Sequence, residues 1–176
     1  MSTLPEDEFE FSSLSSLIEH IERSHHAFTR EQLVLITGLL VQTQASSIIP
    51  LADIRSHFAA LQADLLPHLL KEERILFPYI RRMEQENLQG DAPFGSVANP
   101  IRMMRTEHET VGKLLHELRA LTHNYVPPAQ EADAAALYAA LYAALADLDA
   151  DLVRHIHLED GLLFPQAIER EANPPG

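Results

Sequence analysis

One stretch of this sequence occurs twice. HLLKEERILFP, from His68 to Pro78, is matched by HIHLEDGLLFP, from His155 to Pro165, so both halves of the chain carry H-x3-E-x3-L-F-P. On a helix, residues i and i+4 share a face about one turn apart, so each His can offer a nitrogen and each Glu an oxygen to a common point. One such pair could be chance. Two with the same continuation restrict the chain to folds that bring them together.

Both copies lie in helical patterns. Ile54, Phe58, Leu61, Leu65, His68, Glu72, Ile75 and Tyr79 follow one another at alternating steps of four and three, the inward stripe of a bundle helix. Leu141, Leu145, Leu148, Leu152, His155, Glu159 and Leu162 repeat the pattern. A third stripe runs Ile101, Met104, His108, Val111, Leu115 and Leu118, after Asn99-Pro100 as an expected cap and first helical position. The first helix, from about Ser13 to Gln44, is ambiguous: Ile18, Ile21, His25 and Phe28 mark one face, while Leu33, Ile36 and Leu40 project back onto His26. Periodicity alone does not choose between His25 and His26.

Breaker-rich stretches near Ser46–Pro50, Gln89–Gly95 and Val126–Asp133 separate the four patterns. The expected fold is all-α, an up-down-up-down four-helix bundle in a single domain over 1–176, with a core over about 13–170 and frayed ends. Residues at equal depth on antiparallel neighbours are equidistant from the turn between them. Taking about 70 and about 157 for the two pairs, the midpoints through His26 and His108 fall near 48, 89 and 132, on or beside the three breaker stretches. One level of the bundle then collects a His from every helix and a Glu from two.

Composition narrows the chemistry. The 176 residues contain no Cys, which removes disulfides, thiolate metal sites and thiol nucleophiles, while ten His is a high count. Any metal must sit on nitrogen and oxygen, a donor set that suits iron, manganese or zinc. The formal charge of −13 argues against nucleic-acid binding, and no apolar run approaches the length of about 20 needed to span a bilayer. The acidic start MSTLPEDEFEF is unlike a secretory signal, so a cytoplasmic location is expected. Buried carboxylates without compensation cost several kcal/mol, and cations between them remove that penalty. If each Glu bridges, two metals share both carboxylates and take two His each.

The competing structural account is two helical His–Glu pairs satisfied inside the core. Duplication weighs against it for His68, Glu72, His155 and Glu159, and inward position at the matching depth does so for His108. His20, His57, His116, His123 and His157 lack the spacing and are assigned to solvent or supporting positions. Met103, Met104, Phe77 and Phe164 read as core or near-core, and Pro67, Pro78 and Pro165 should kink or loosen their helices.

The order H-H-x3-R (His25–Arg30), H-x2-K-E-E-x-I-L-F-P (His68–Pro78), P-I-x2-M-x2-E-H-E (Pro100–Glu109), T-x2-Y-x-P-P (Thr122–Pro128) and H-I-x-L-E-x3-L-F-P (His155–Pro165) resembles hemerythrin-like proteins, in particular the repair-of-iron-centres di-iron group. The resemblance covers roughly residues 15 to 168. It implies two irons, with room for a bridging oxide when oxidised, on His26, His68, Glu72, His108, His155 and Glu159, and so selects His26 over His25. It further implies repair of iron–sulfur clusters under nitrosative or oxidative stress, a possible oxidoreductase with nitric oxide, dioxygen species and damaged iron–sulfur proteins as partners. The rival expectations are a reversible dioxygen or nitric oxide carrier or sensor, and iron storage or donation. Relatives often carry a separate Cys-bearing N-terminal domain; this chain departs in having no Cys, and in Asp133 where relatives can have Cys.

Overall fold

The computed structural model describes residues 11–43, 51–86, 88, 93–129 and 132–174. Ser46–Pro50, Gln89–Ala92, the ends of the chain and the side chain of Asp133, on which some expectations fall, lie outside the described residues.

Four long helices make the bundle. Helix α1 runs through Leu14–His20, a π-helical turn at Ile21–His26, and Ala27–Gln42. Helix α2 runs through Leu51–Lys71, a π-turn at Glu72–Leu76, and Phe77–Gln85. Helix α3 is Ala98–Leu121, and α4 runs through Ala132–Leu158, a π-turn at Glu159–Leu163, and Phe164–Ala172. The second half of α1 packs along the first part of α4, and the first part of α2 along α3.

Carboxylates clamp the alternating directions. Glu84 near the end of α2 accepts the Leu14 and Ser15 backbone N–H groups at the start of α1, at 2.7 and 3.1 Å. Glu171 near the end of α4 does the same for the start of α3, accepting from Val97 N at 2.8 Å and Ser96 Oγ at 2.6 Å. Each satisfies donors that a helix start leaves free and places negative charge at the positive end of the dipole. The duplication therefore extends past the L-F-P segment: Glu84 and Glu171 occupy equivalent places in the two copies.

The expected cap at Asn99 is corrected. Helix α3 begins at Ala98 with Val97 at the cap, because Ser96 already takes the first N–H groups, leaving Asn99 inside the first turn with its Nδ2 on Phe94 O. At the other end of α3, His123, Asn124 and Tyr125 all have positive φ, of 49°, 59° and 61°. Such a run costs about 1–2 kcal/mol per residue. It is held by Tyr125 N donating to Thr122 Oγ1 at 3.1 Å, and by the Tyr125 hydroxyl donating to Asp149 Oδ2 at 2.7 Å. Asp149 also receives Arg119 in a two-pronged ion pair, which explains the T-x2-Y-x-P-P motif as the closure between α3 and α4.

The π-turns correct two expected core positions. Ile75 is 53% exposed and Leu162 36%, while Leu76 and Leu163, one residue on, are buried. A π-turn carries one residue more than an α-turn, so the inward face slips by one position after Glu72 and after Glu159. The wide turn also precedes Pro78 and Pro165, whose rings would otherwise strike a carbonyl in the preceding turn. Pro67 breaks nothing: the helix is continuous from Leu51 to Lys71. Met103 lies outside the core at 57% exposure, while Met104, the next residue of α3, is buried.

Two apolar clusters result. One holds Leu33, Ile36, Phe58, Leu61, Leu65, Val111, Leu115, Leu145, Leu148 and Leu152; the other holds Ile18, Ile21, Leu76, Phe77, Ile80, Ile101, Met104, Leu163 and Phe164. Each large side chain so buried contributes about 1.5–3 kcal/mol. Between them, along every helix, lies one polar layer.

Candidate metal centre

That layer contains His26, His68, Glu72, His108, His155 and Glu159, each at 5% exposure or less. All six expected residues converge. They form two groups, His26–Glu72–His155–Glu159 and His68–Glu72–His108–Glu159, and within each the donor atoms lie within 4.8 Å of one another.

The carboxylates divide between the groups. Glu72 Oε2 lies 3.5 Å from His26 Nε2, and Oε1 lies 3.4 Å from His68 Nε2. Glu159 Oε1 lies 3.0 Å from His155 Nε2, and Oε2 lies 3.1 Å from His108 Nε2. Within each group the two imidazole Nε2 atoms face each other at 3.2 Å. Thus every Nε2 points inward, and each Glu presents one oxygen to each group.

The arrangement suits cations better than internal hydrogen bonds. Both oxygens of Glu72 and Oε2 of Glu159 are buried with no hydrogen-bond partner among the described residues. Burial, reinforced by the neighbouring Glu159 charge, pushes Glu72 up to about 8. Burial also opposes ionisation of Glu159, but the charge and hydrogen bond of His155, with His108 and His26 close by, hold it well below the ordinary carboxylate range. Burial works against protonated His26 and His108, yet His26 is held up at about 10 by Glu159 and Glu72, and His108 at about 10 by Asp160 and Glu159. At His68 burial wins and lowers it to about 4, although Glu107 pulls the other way. Two buried carboxylates that cannot both carry charge cheaply, set among four imidazoles, are a donor set whose burial cost bound cations would offset. The nitrogen and oxygen donors present therefore fit a metal pair.

A ring of residues orients the imidazoles. His26 Nδ1 is paired with Glu73 Oε1 at 2.8 Å, and Arg30 donates to the other Glu73 oxygen at 2.8 Å. His68 Nδ1 is paired with Glu107 Oε2 at 2.8 Å, and Lys71 holds the other Glu107 oxygen. His108 Nδ1 is paired with Asp160 Oδ2 at 3.2 Å, and Arg105 lies 3.4 Å from Oδ1. An Nδ1–H given to a carboxylate leaves the Nε2 lone pair free for a metal and makes it more basic. Sequence reasoning missed Glu73, Glu107 and Asp160; the available signal was an acidic residue beside a ligand position in K-E-E, E-H-E and L-E-D.

The fourth imidazole is different. His155 Nδ1 has no partner among the described residues. His25, also buried, stacks on it with centroids 5.6 Å apart and planes 12° apart, and gives its own Nδ1 contact to Asp151 at 3.0 Å. His25 thus supports the layer without joining either group. Phe77 stacks on His26 and Phe164 on His108, at 5.6 and 6.0 Å, closing one side of the layer to water. Of the remaining histidines, His116, His123 and His157 are exposed and His20 and His57 half-buried, none of them in either group.

Residues 16–167 match the family described as Hemerythrin HHE cation binding domain, and the chain belongs to that family. Among its relatives is the iron-sulfur cluster repair protein YtfE of Musicola paradisiaca, 36% identical over 164 residues, covering 90% of this chain and 68% of the relative. The proteins of the same name from Cronobacter sakazakii and Escherichia coli O157:H7 are 33% and 31% identical, each covering 94% of this chain and 71% of the relative. Among the described residues, no helix is long and apolar enough to cross a membrane.

Proposed function

We propose that the chain holds two iron ions, one in each four-residue group, and that the loaded centre serves the repair of iron–sulfur clusters damaged by nitric oxide or oxidants. One observation carries this reading: Glu72 and Glu159 each turn one oxygen to each of two imidazole pairs, and three of those four oxygens have no hydrogen-bond partner among the described residues. A pair of irons bound there supplies one-electron redox chemistry and coordination positions open to a small ligand such as nitric oxide or dioxygen.

The protein's own groups do the rest. Glu73, Glu107 and Asp160 hold three imidazoles in the tautomer that faces Nε2 inward, and Arg30, Lys71 and Arg105 fix those carboxylates in turn. Phe77, Phe164 and the two apolar clusters exclude water, which strengthens the electrostatics of the layer. The relatives' name supports cluster repair as the setting, with damaged iron–sulfur proteins as partners.

Metal analysis with an optical spectrum tests the reading. About two irons per chain with a near-ultraviolet charge-transfer band, both lost in Glu72→Ala and Glu159→Ala, are expected. Protein that is colourless and metal-free after growth and reconstitution with iron would refute it. Turnover of nitric oxide by the reduced protein marks an enzyme, a stable reversible adduct marks a carrier or sensor, and rapid loss of iron to an apo-cluster acceptor marks a donor.

A further inference from the structure

The two helix pairs repeat each other around the polar layer, α1–α2 matching α3–α4. His26 corresponds to His108, His68 to His155, Glu72 to Glu159, Phe77 to Phe164 and Glu73 to Asp160, in sequence order and in contacts. The places where this correspondence fails are informative, and two of them fall on the same side.

The first is in the layer next to the ligands, toward the larger apolar cluster. One stripe step from each ligand His stand Thr29 on α1, Leu65 on α2, Val111 on α3 and Leu152 on α4, all buried at 2% exposure or less. Thr29 corresponds to Val111, which has the same shape without the hydroxyl. Packing therefore does not call for the hydroxyl. Helical threonines ordinarily donate to the carbonyl a turn back, as Thr37 does to Leu33 and Thr122 to Leu118, both at 2.7 Å. Thr29 Oγ1 is fully buried and has no partner among the described residues. It is the one polar side chain in a layer otherwise made of leucine and valine.

The second failure is His25. The residue before His108 is Glu107, which accepts from His68; the residue before His26 is His25, which stacks against His155 and is itself paired with Asp151. An imidazole stands where the other half has a carboxylate, and His155 Nδ1 is left without a hydrogen-bond partner among the described residues.

We propose that the Thr29 hydroxyl donates a hydrogen bond to a small anionic or polar ligand held at the His26–His155 position, making that half of the centre the ligand-accepting one. This rests on the two-iron reading above. Iron-loaded ferric protein is titrated with sodium azide, with iron content and thermal unfolding measured alongside. Thr29→Val is expected to keep its iron and its thermal midpoint, to bind azide about tenfold more weakly, and to shift the azide stretching frequency. Thr29→Ser should stay within about threefold of the wild type. Thr29→Val with full iron, unchanged azide affinity and an unchanged stretch overturns this inference alone. Wild-type protein that takes up no iron overturns the two-iron reading, and this one with it.

Discussion

Replacing Glu72 by glutamine should stabilise the metal-free protein and weaken the loaded one. Glu72 is fully buried, and its carboxyl is raised from 4.5 to about 8. At pH 7 the unfolded chain has this group ionised while the folded one keeps it largely protonated, a gap of about 2.5 pH units and about 3 kcal/mol. Glutamine has the shape of the protonated acid and escapes that cost. Turning an amide NH2 toward one of the two imidazoles that the carboxyl oxygens face takes back about 1 kcal/mol. The net gain is about 2 kcal/mol, or about 4–8 °C in thermal midpoint for a chain of this size.

The sign follows from a folded pKa above the unfolded one. The stability associated with the proton is fully present below 4.5 and lost as pH rises through about 8, so the advantage of Glu72→Gln should vanish near pH 4.5 and reach its full size by about pH 8. Circular dichroism melts of both chelated proteins at the two pH values measure it. Adding metal should invert the order, because ions that bind only the folded wild type stabilise it by mass action. A metal-free variant less stable than wild type at pH 7, or an advantage undiminished at pH 4.5, would refute the account of Glu72 as a carboxyl whose burial opposes its charge.

Two further outcomes are expected. His26 and His108 are held up at about 10 in the metal-free protein and can ligate only when neutral, so metal uptake at pH 7 should release protons and apparent affinity should climb with pH toward 10. A weakly buffered titration that consumes no base would contradict this. Glu107→Gln should lower metal affinity about 10–100-fold in competition with a chromophoric chelator, because it weakens the acceptor that fixes His68; unchanged affinity would show that the pairing carries nothing.

Much of the bundle was legible because burial imposes one period on long helices. The α3 stripe from Ile101 to Leu118 is buried at every expected position, and both H-x3-E pairs face the same layer. What escaped the sequence was the change of period. Ile75 and Leu162 fit a continuous α-pattern and are nevertheless exposed, because the π-turns insert a residue after Glu72 and after Glu159. The same effect explains why α1 could not be phased: Ile18 and Ile21 belong to the face before its π-turn and Leu33 and Ile36 to the face after it, so His25 and His26 are both buried. Glu73, Glu107 and Asp160 were invisible for another reason. Acidic residues on a half-exposed flank look like solvated surface until the imidazole across the helix gap is placed.

Each candidate metal position draws one imidazole from the first helix pair and one from the second: His26 with His155, and His68 with His108. Neither pair of helices alone can complete a position, and the polar layer is the seam where two equal halves of the chain meet. Whatever fills that seam rivets the halves together at two points. Cation supply would then set how firmly the molecule is closed, as well as what chemistry it performs.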